Sequence, residues 1–176
     1  DLAGAIVGRV RPEDVLDGAR VRAGDRIWGL PSTGLHTNGY SLARRVLLDQ
    51  GGLALDQDPG GLGGSLADAL LAVHRSYLPD LRALWGAHGR EAVHALAHIT
   101  GGGFFDNVPR VVPSGFCAVI DTTAWTPPPL FGLIAARGRV APAEMYRVFN
   151  MGIGLCLFLP PDCDPRGAAP DARPIG

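Results

Sequence analysis

The feature that most constrains this chain is a run of three glycines, Gly101-Gly102-Gly103, set between an apolar stretch and a short amphipathic one. A strand that turns into a helix often needs one glycine with positive φ; three in a row exceed what turn geometry asks. The first turn of a helix presents unpaired N–H groups and about half a positive charge. Glycines there let an anion approach the backbone without obstruction. The segment therefore reads as an anion-binding loop, with a tight structural turn as the plainer alternative.

Composition narrows what kind of anion binder this is. All 16 basic residues are arginine and none is lysine. That removes the lysine-dependent phosphate loop and Schiff-base chemistry. Any phosphate must be held by backbone amides, arginine, histidine or a metal. The formal charge of −1 argues against a nucleic-acid or anionic-membrane binder, and no apolar run approaches the roughly 20 residues of a bilayer span. At 176 residues and 47% hydrophobic, the chain fits one domain with its own core. Its three cysteines lack paired spacing, and Cys117 and Cys156 lie in apolar runs, so buried thiols are expected and a cytoplasmic setting is implied. No histidine pair has metal-ligand spacing, so no metal site is expected.

Along the chain, strands are expected at 2–10, 26–30, 93–99, 116–120 and 153–159. The last is an unbroken apolar run. Helical turns or helices are expected at 12–16, 39–50, 65–85, 102–108, 127–137 and 142–149, with Pro79 kinking or splitting the long one. The tail after 160 reads as loop. The irregular alternation favours an α+β fold, a layered α/β sandwich with a mixed sheet. The chain opens at Asp1 inside an expected strand and without methionine, which suggests that something precedes it.

Two further segments carry chemistry-bearing side chains. Residues 31–41 gather Ser32, Thr33, His36, Thr37, Asn38 and Ser41 between a strand and a helix. Histidine can shuttle a proton near neutral pH, and strand-end loops collect functional groups; helix capping by Thr37 or Asn38 would use the same residues. In 144–154, Arg147 could clasp a phosphate or simply pair with Glu144, and Asn150 and Gly152 could form a helix C-cap. His74 reads as a core or boundary residue; His88 and His94 read as surface or strand-edge positions.

Together, Gly34-Leu35-His36-Thr37-Asn38-Gly39-Tyr40-Ser41, His98-Ile99-Thr100-Gly101-Gly102-Gly103 with Asn107-Val108-Pro109-Arg110, and Glu144-Met145-Tyr146-Arg147 with Phe149-Asn150 resemble the C-terminal domain of the aminoimidazole ribonucleotide synthetase (phosphoribosylformylglycinamidine cyclo-ligase) family. The resemblance is collinear over nearly the whole chain. It implies an ATP-dependent ligase that closes the ring of formylglycinamidine ribonucleotide in purine biosynthesis, with Mg2+ neutralising the transferring phosphoryl group.

It also implies catalytic roles for His36 and His98, and substrate contacts from Thr37, Asn38, Thr100, Gly101, Gly102 and Gly103. Residues 1–10 would be the end of an N-terminal ATP-binding domain, and 11–176 the substrate-binding domain, missing a final strand. ATP and Mg2+ would sit mainly on the other domain, the whole protein would be a homodimer, and this chain alone would be inactive. A related phosphotransferase half, or a non-catalytic interaction domain, are the competing readings. One departure stands out: Val73-His74 occupy a position where the family usually has Pro-Thr.

Overall fold

The computed structural model describes residues 4–176. Its centre is the apolar run read above as a strand: β3, Ile153–Leu159, buried at every position. A strand without a polar face has to be covered on both sides. β1 (Arg26–Pro31) flanks it on one side and β2 (Ala95–His98) on the other, with the two-residue β4 (Arg173–Pro174) outside β1, so the order is β2-β3-β1-β4. Every pairing is antiparallel, which corrects the expectation of a mixed sheet while leaving the α+β class intact.

This topology decides where the motifs go. β1 and β2 both run opposite to β3, hence parallel to each other. The loops that follow them emerge on the same edge of the sheet, at the end where β3 begins. Segments 31–41, 98–107 and 144–154 therefore converge on one edge although they are far apart in sequence. Ser32 N–H donates to Gly152 O at 2.9 Å, and Ile99 N–H to Gly154 O at 2.8 Å.

The side-chain alternation of β3 feeds two cores. Cys156 and Phe158 pack with Ile27, Ala95, Ala97, Phe104 and Trp125 on one face. Leu155, Leu157 and Leu159 pack with Trp28, Leu30 and Leu84 on the other. A third cluster surrounds the loops after β1 and before β3. It joins Leu35, Phe149 and Met151 to the buried faces of α1 (Tyr40–Arg44), α5 (Pro129–Gly138) and α6 (Pro142–Val148). α1 continues through a π-helical turn, Arg45–Asp49.

The expected long helix at 65–85 is two: α2 (Leu66–Leu70), opened by a Ser65–Asp68 capping box, and α3 (Leu78–His88), with Pro79 in its first turn. Residues 71–77 have no regular structure, and Val73, inside the span expected to be helical, is 85% exposed. α4 (Gly103–Asn107) runs on into a 3-10 turn, Val108–Val111.

Two expected strands do not form. Residues 4–10 are exposed and irregular, while Leu2 lies outside the described residues. Residues 116–120 run past the sheet without joining its ladder, and Cys117 there is exposed rather than buried; Cys156 and Cys163 are buried and all three thiols are free. The tail after 160 is mostly loop, with a 3-10 turn at Pro165–Gly167 and the short β4. No helix among the described residues is long and apolar enough to cross a membrane.

Candidate functional site

At the loop edge, two motifs that lie some sixty residues apart are joined by one side chain. Asn38 accepts the Gly101 N–H on Oδ1 at 2.9 Å and donates from Nδ2 to His36 O at 2.6 Å. The backbone that presents Asn38 is unusual: His36 and Thr37 have φ of 51° and 61°. For a β-branched residue such as Thr37 that left-handed conformation is strained.

His36 is 2% exposed. Its Nε2 accepts from the Thr33 N–H at 3.0 Å, so the ring proton sits on Nδ1, which is buried without a partner. Burial foremost, then the neighbouring His74, His98 and Arg75, push its pKa down to about 4. The ring is thus neutral near pH 7 and bonded to its own loop, not poised to titrate there as the sequence led us to expect.

His98, at the exposed end of β2, is also held below the usual histidine value, by burial and then by His74. A neutral imidazole there can accept a proton. The link between the two is His74, which stacks on His36 with ring centroids 3.8 Å apart and places its Nε2 3.2 Å from His98 Nε2.

The glycine loop is partly self-satisfied. Gly101 N–H is taken by Asn38, and Gly103 N–H donates to Thr100 O at 3.0 Å. Only the middle amide, Gly102, is without an acceptor among the described residues. The Asp106 carboxylate leans over that residue, where an added Cβ would meet it. Thr100 Oγ1 and the carbonyls of Gly101 and Gly103 are held by the buried Asn107, through contacts of 2.7 to 3.3 Å. The loop is braced from below by the same side chain that occupies the core.

In the third motif, Glu144 and Arg147 pair at 3.9 Å on an exposed face, and Arg147 lies over the Phe105 ring. Asn150 is no C-cap; it is buried and ties Ser32 Oγ, Gly34 O and the Gly152 N–H together.

Sequence reasoning missed His74 and Tyr77 as parts of this edge; it singled out the segments that hold Asn107, Asn150 and Gly154, but not the contacts those residues make. Tyr77 is buried, donates to Pro31 O, and has its phenol pKa pushed up by burial. A Cβ on Gly154 would collide with the Tyr77 hydroxyl and crowd His36, so the close approach of those rings to β3 requires glycine. His74 was visible in the sequence as a departure from the family pattern, but nothing local marked it as a neighbour of His36. A hollow of about 580 Å3 beside α4 is apolar, lined by Phe104, Phe105, Val108, Phe116 and Tyr146, and no histidine lines it.

The arrangement matches a known domain. Residues 22–169 match the family model described as AIR synthase related protein, C-terminal domain. The chain is 53% identical over 159 residues to the phosphoribosylformylglycinamidine cyclo-ligase of Myxococcus xanthus, covering 90% of this chain and 45% of that protein. It is 47% identical to the one from Xanthomonas campestris, over 92% of this chain and 46% of the relative. To the one from Geotalea daltonii it is 44% identical, over 91% and 45%. It thus spans a little under half the length of these relatives. With the fold, the converging loops and these matches in agreement, the chain belongs to the family of AIR synthase related C-terminal domains.

Proposed function

We propose that this chain is the substrate-binding part of an ATP-dependent cyclo-ligase that converts formylglycinamidine ribonucleotide to aminoimidazole ribonucleotide. The observation that carries this reading is the Asn38–Gly101 bond, which couples the His36 loop to the glycine loop within a family whose curated relatives bear that name. The free Gly102 amide is the donor for the ribonucleotide phosphate, and the Asp106 carboxylate swings aside to admit it. Gly101 and Gly103 keep the loop in shape, and Thr37, Asn38 and Thr100 line the approach. His98, neutral and exposed, accepts the proton released when the ring nitrogen closes. His36 holds the loop and the imidazole cluster in place.

ATP and Mg2+ do not fit this edge. Mg2+ requires several oxygen ligands, whereas the groups gathered here are imidazoles and amides, with Asp106 the one carboxylate beside the glycine loop. We place both mainly on the rest of the protein, which we take to be a cytoplasmic homodimer with an N-terminal ATP-binding domain reaching residues 1–10.

Ribose 5-phosphate and formylglycinamidine ribonucleotide test the reading by thermal stability in the presence of a chelator. At a ligand concentration of a hundred times the dissociation constant, stability should rise by about 2.7 kcal/mol. The rise should shrink in Asn38→Ala. No shift at millimolar ligand would favour a non-catalytic domain, the reading to which the self-satisfied Gly101 and Gly103 amides lend weight.

A further inference from the structure

We propose that His36, His74 and His98 form a binding site for one divalent ion of the zinc, cobalt or nickel class. The three histidines come from three segments, and each offers a ring nitrogen within 4.8 Å of the other two. Two of these nitrogens already stand at ligand spacing. Zinc–imidazole bonds of about 2.0–2.1 Å at tetrahedral angles separate two ligand nitrogens by about 3.3 Å, and His74 Nε2 lies 3.2 Å from His98 Nε2. The third ring, His36, is almost wholly buried and its Nδ1 has no hydrogen-bond partner. Ligation through it requires the ring proton to move to Nε2, which then gives up the Thr33 N–H and donates instead to Thr33 Oγ1, 3.0 Å away.

The surroundings suit a cation. The nearest formal positive charge, Arg75, is engaged by Asp80 at 3.2 Å and by Asp171 at 3.1 Å, so its repulsion is offset. The donor set is all imidazole. Imidazole favours zinc, copper, cobalt and nickel over magnesium and calcium, which take oxygen. The site is therefore chemically separate from the Mg2+ expected with ATP.

Three protein ligands leave a position open toward the exposed His98, where water or a substrate oxygen could bind. Coordination has one structural requirement: His74 must leave its face-to-face stack on His36, because ligand lone pairs lie in the ring plane. His74 is half-buried in the irregular stretch 71–77, so its ring can turn without disturbing a helix or strand.

The inference does not rest on the ribonucleotide reading, in which His98 accepts a proton only in the ion-free chain, and its test contains no nucleotide. The chain, stripped with a chelator, is titrated with Co2+ and followed by visible absorption and by calorimetry. One equivalent should bind with ligand-field bands of a nitrogen-coordinated ion, and Zn2+ should displace it whereas excess Mg2+ should not. His74→Ala and, separately, His98→Ala should each weaken binding by about tenfold or more, while His88→Ala on the exposed face of α3 should leave it unchanged. Circular dichroism verifies that each variant is folded. Absence of stoichiometric Co2+ binding, equal affinity in folded His74→Ala, or displacement by Mg2+ would each overturn the site.

Discussion

At the scale of single residues, the loop edge is governed by strain and burial that local sequence chemistry does not reveal. His36 illustrates burial. Its folded pKa of about 4 lies below the unfolded value near 6.5, so between those limits the unfolded chain binds a proton that the folded chain does not. Folding stability should accordingly be constant from this group above pH 6.5 and fall as pH drops toward 4, with a slope of up to about 1.4 kcal/mol per pH unit. Urea melts across that window should show the decline in the parent chain and a shallower one in His36→Gln. An equal slope in both would assign the effect elsewhere.

Thr37 illustrates strain. A β-branched residue at φ 61° is disfavoured by about 1–2 kcal/mol, and the side chain is exposed with only a bond to the preceding carbonyl to offset it. Thr37→Gly should therefore raise the melting temperature. If the hydroxyl contacts substrate as proposed, the same variant should bind ribose 5-phosphate more weakly. A destabilised Thr37→Gly would show that the loop is not strained.

Among the elements, the strands and helices that packing alone could justify were legible. β3 matches its apolar run because such a run can only be central, and the long helix is split as expected, with Pro79 in the first turn of its second part, where proline is tolerated. The strand expected at 116–120 failed because a strand is defined by a partner: the segment meets the end of the chain through a single bond, Asp121 N–H to Ile175 O at 2.7 Å, and not through a ladder. The turn into α4 also shows that neighbouring glycines in the run answer to different steric demands. Gly103 sits at φ 57° with the α6 backbone so close that a Cβ would overlap the Tyr146 carbonyl; at Gly102, φ 90°, a Cβ would meet the Asp106 side chain rather than backbone. Gly103→Ala should cost several kcal/mol or prevent folding, whereas Gly102→Ala should cost about 1–2 kcal/mol. Denaturant unfolding of the pair decides this, and equal losses would mean that α4 and α6 can separate cheaply.

For the molecule as a whole, the motifs meet because β1 and β2 run the same way on either side of β3. The groups so gathered are imidazoles, amides and hydroxyls, and among the described residues at this edge they do not form an oxygen cage for Mg2+. The chain by itself should thus release no ADP in the presence of ATP, Mg2+ and formylglycinamidine ribonucleotide, while still binding the ribonucleotide. Turnover near that of a whole cyclo-ligase would place the ATP site within these residues.

What the amino-acid sequence determined by itself was whatever depends on neighbours along the chain: the central strand, the helix breaks, and the motif residues that mark the family. The tertiary structure alone decided which of the motif's groups remain free; it brought His74 to the loop edge and showed what Asn107, Asn150 and Gly154 contact there. The physical reason is that hydrogen bonds are used up pairwise and rings are buried by whatever packs above them. Those partners are distant in sequence, so whether Gly101 is bonded to Asn38, or His36 shielded by His74, is settled only when the sheet brings its loop edge together.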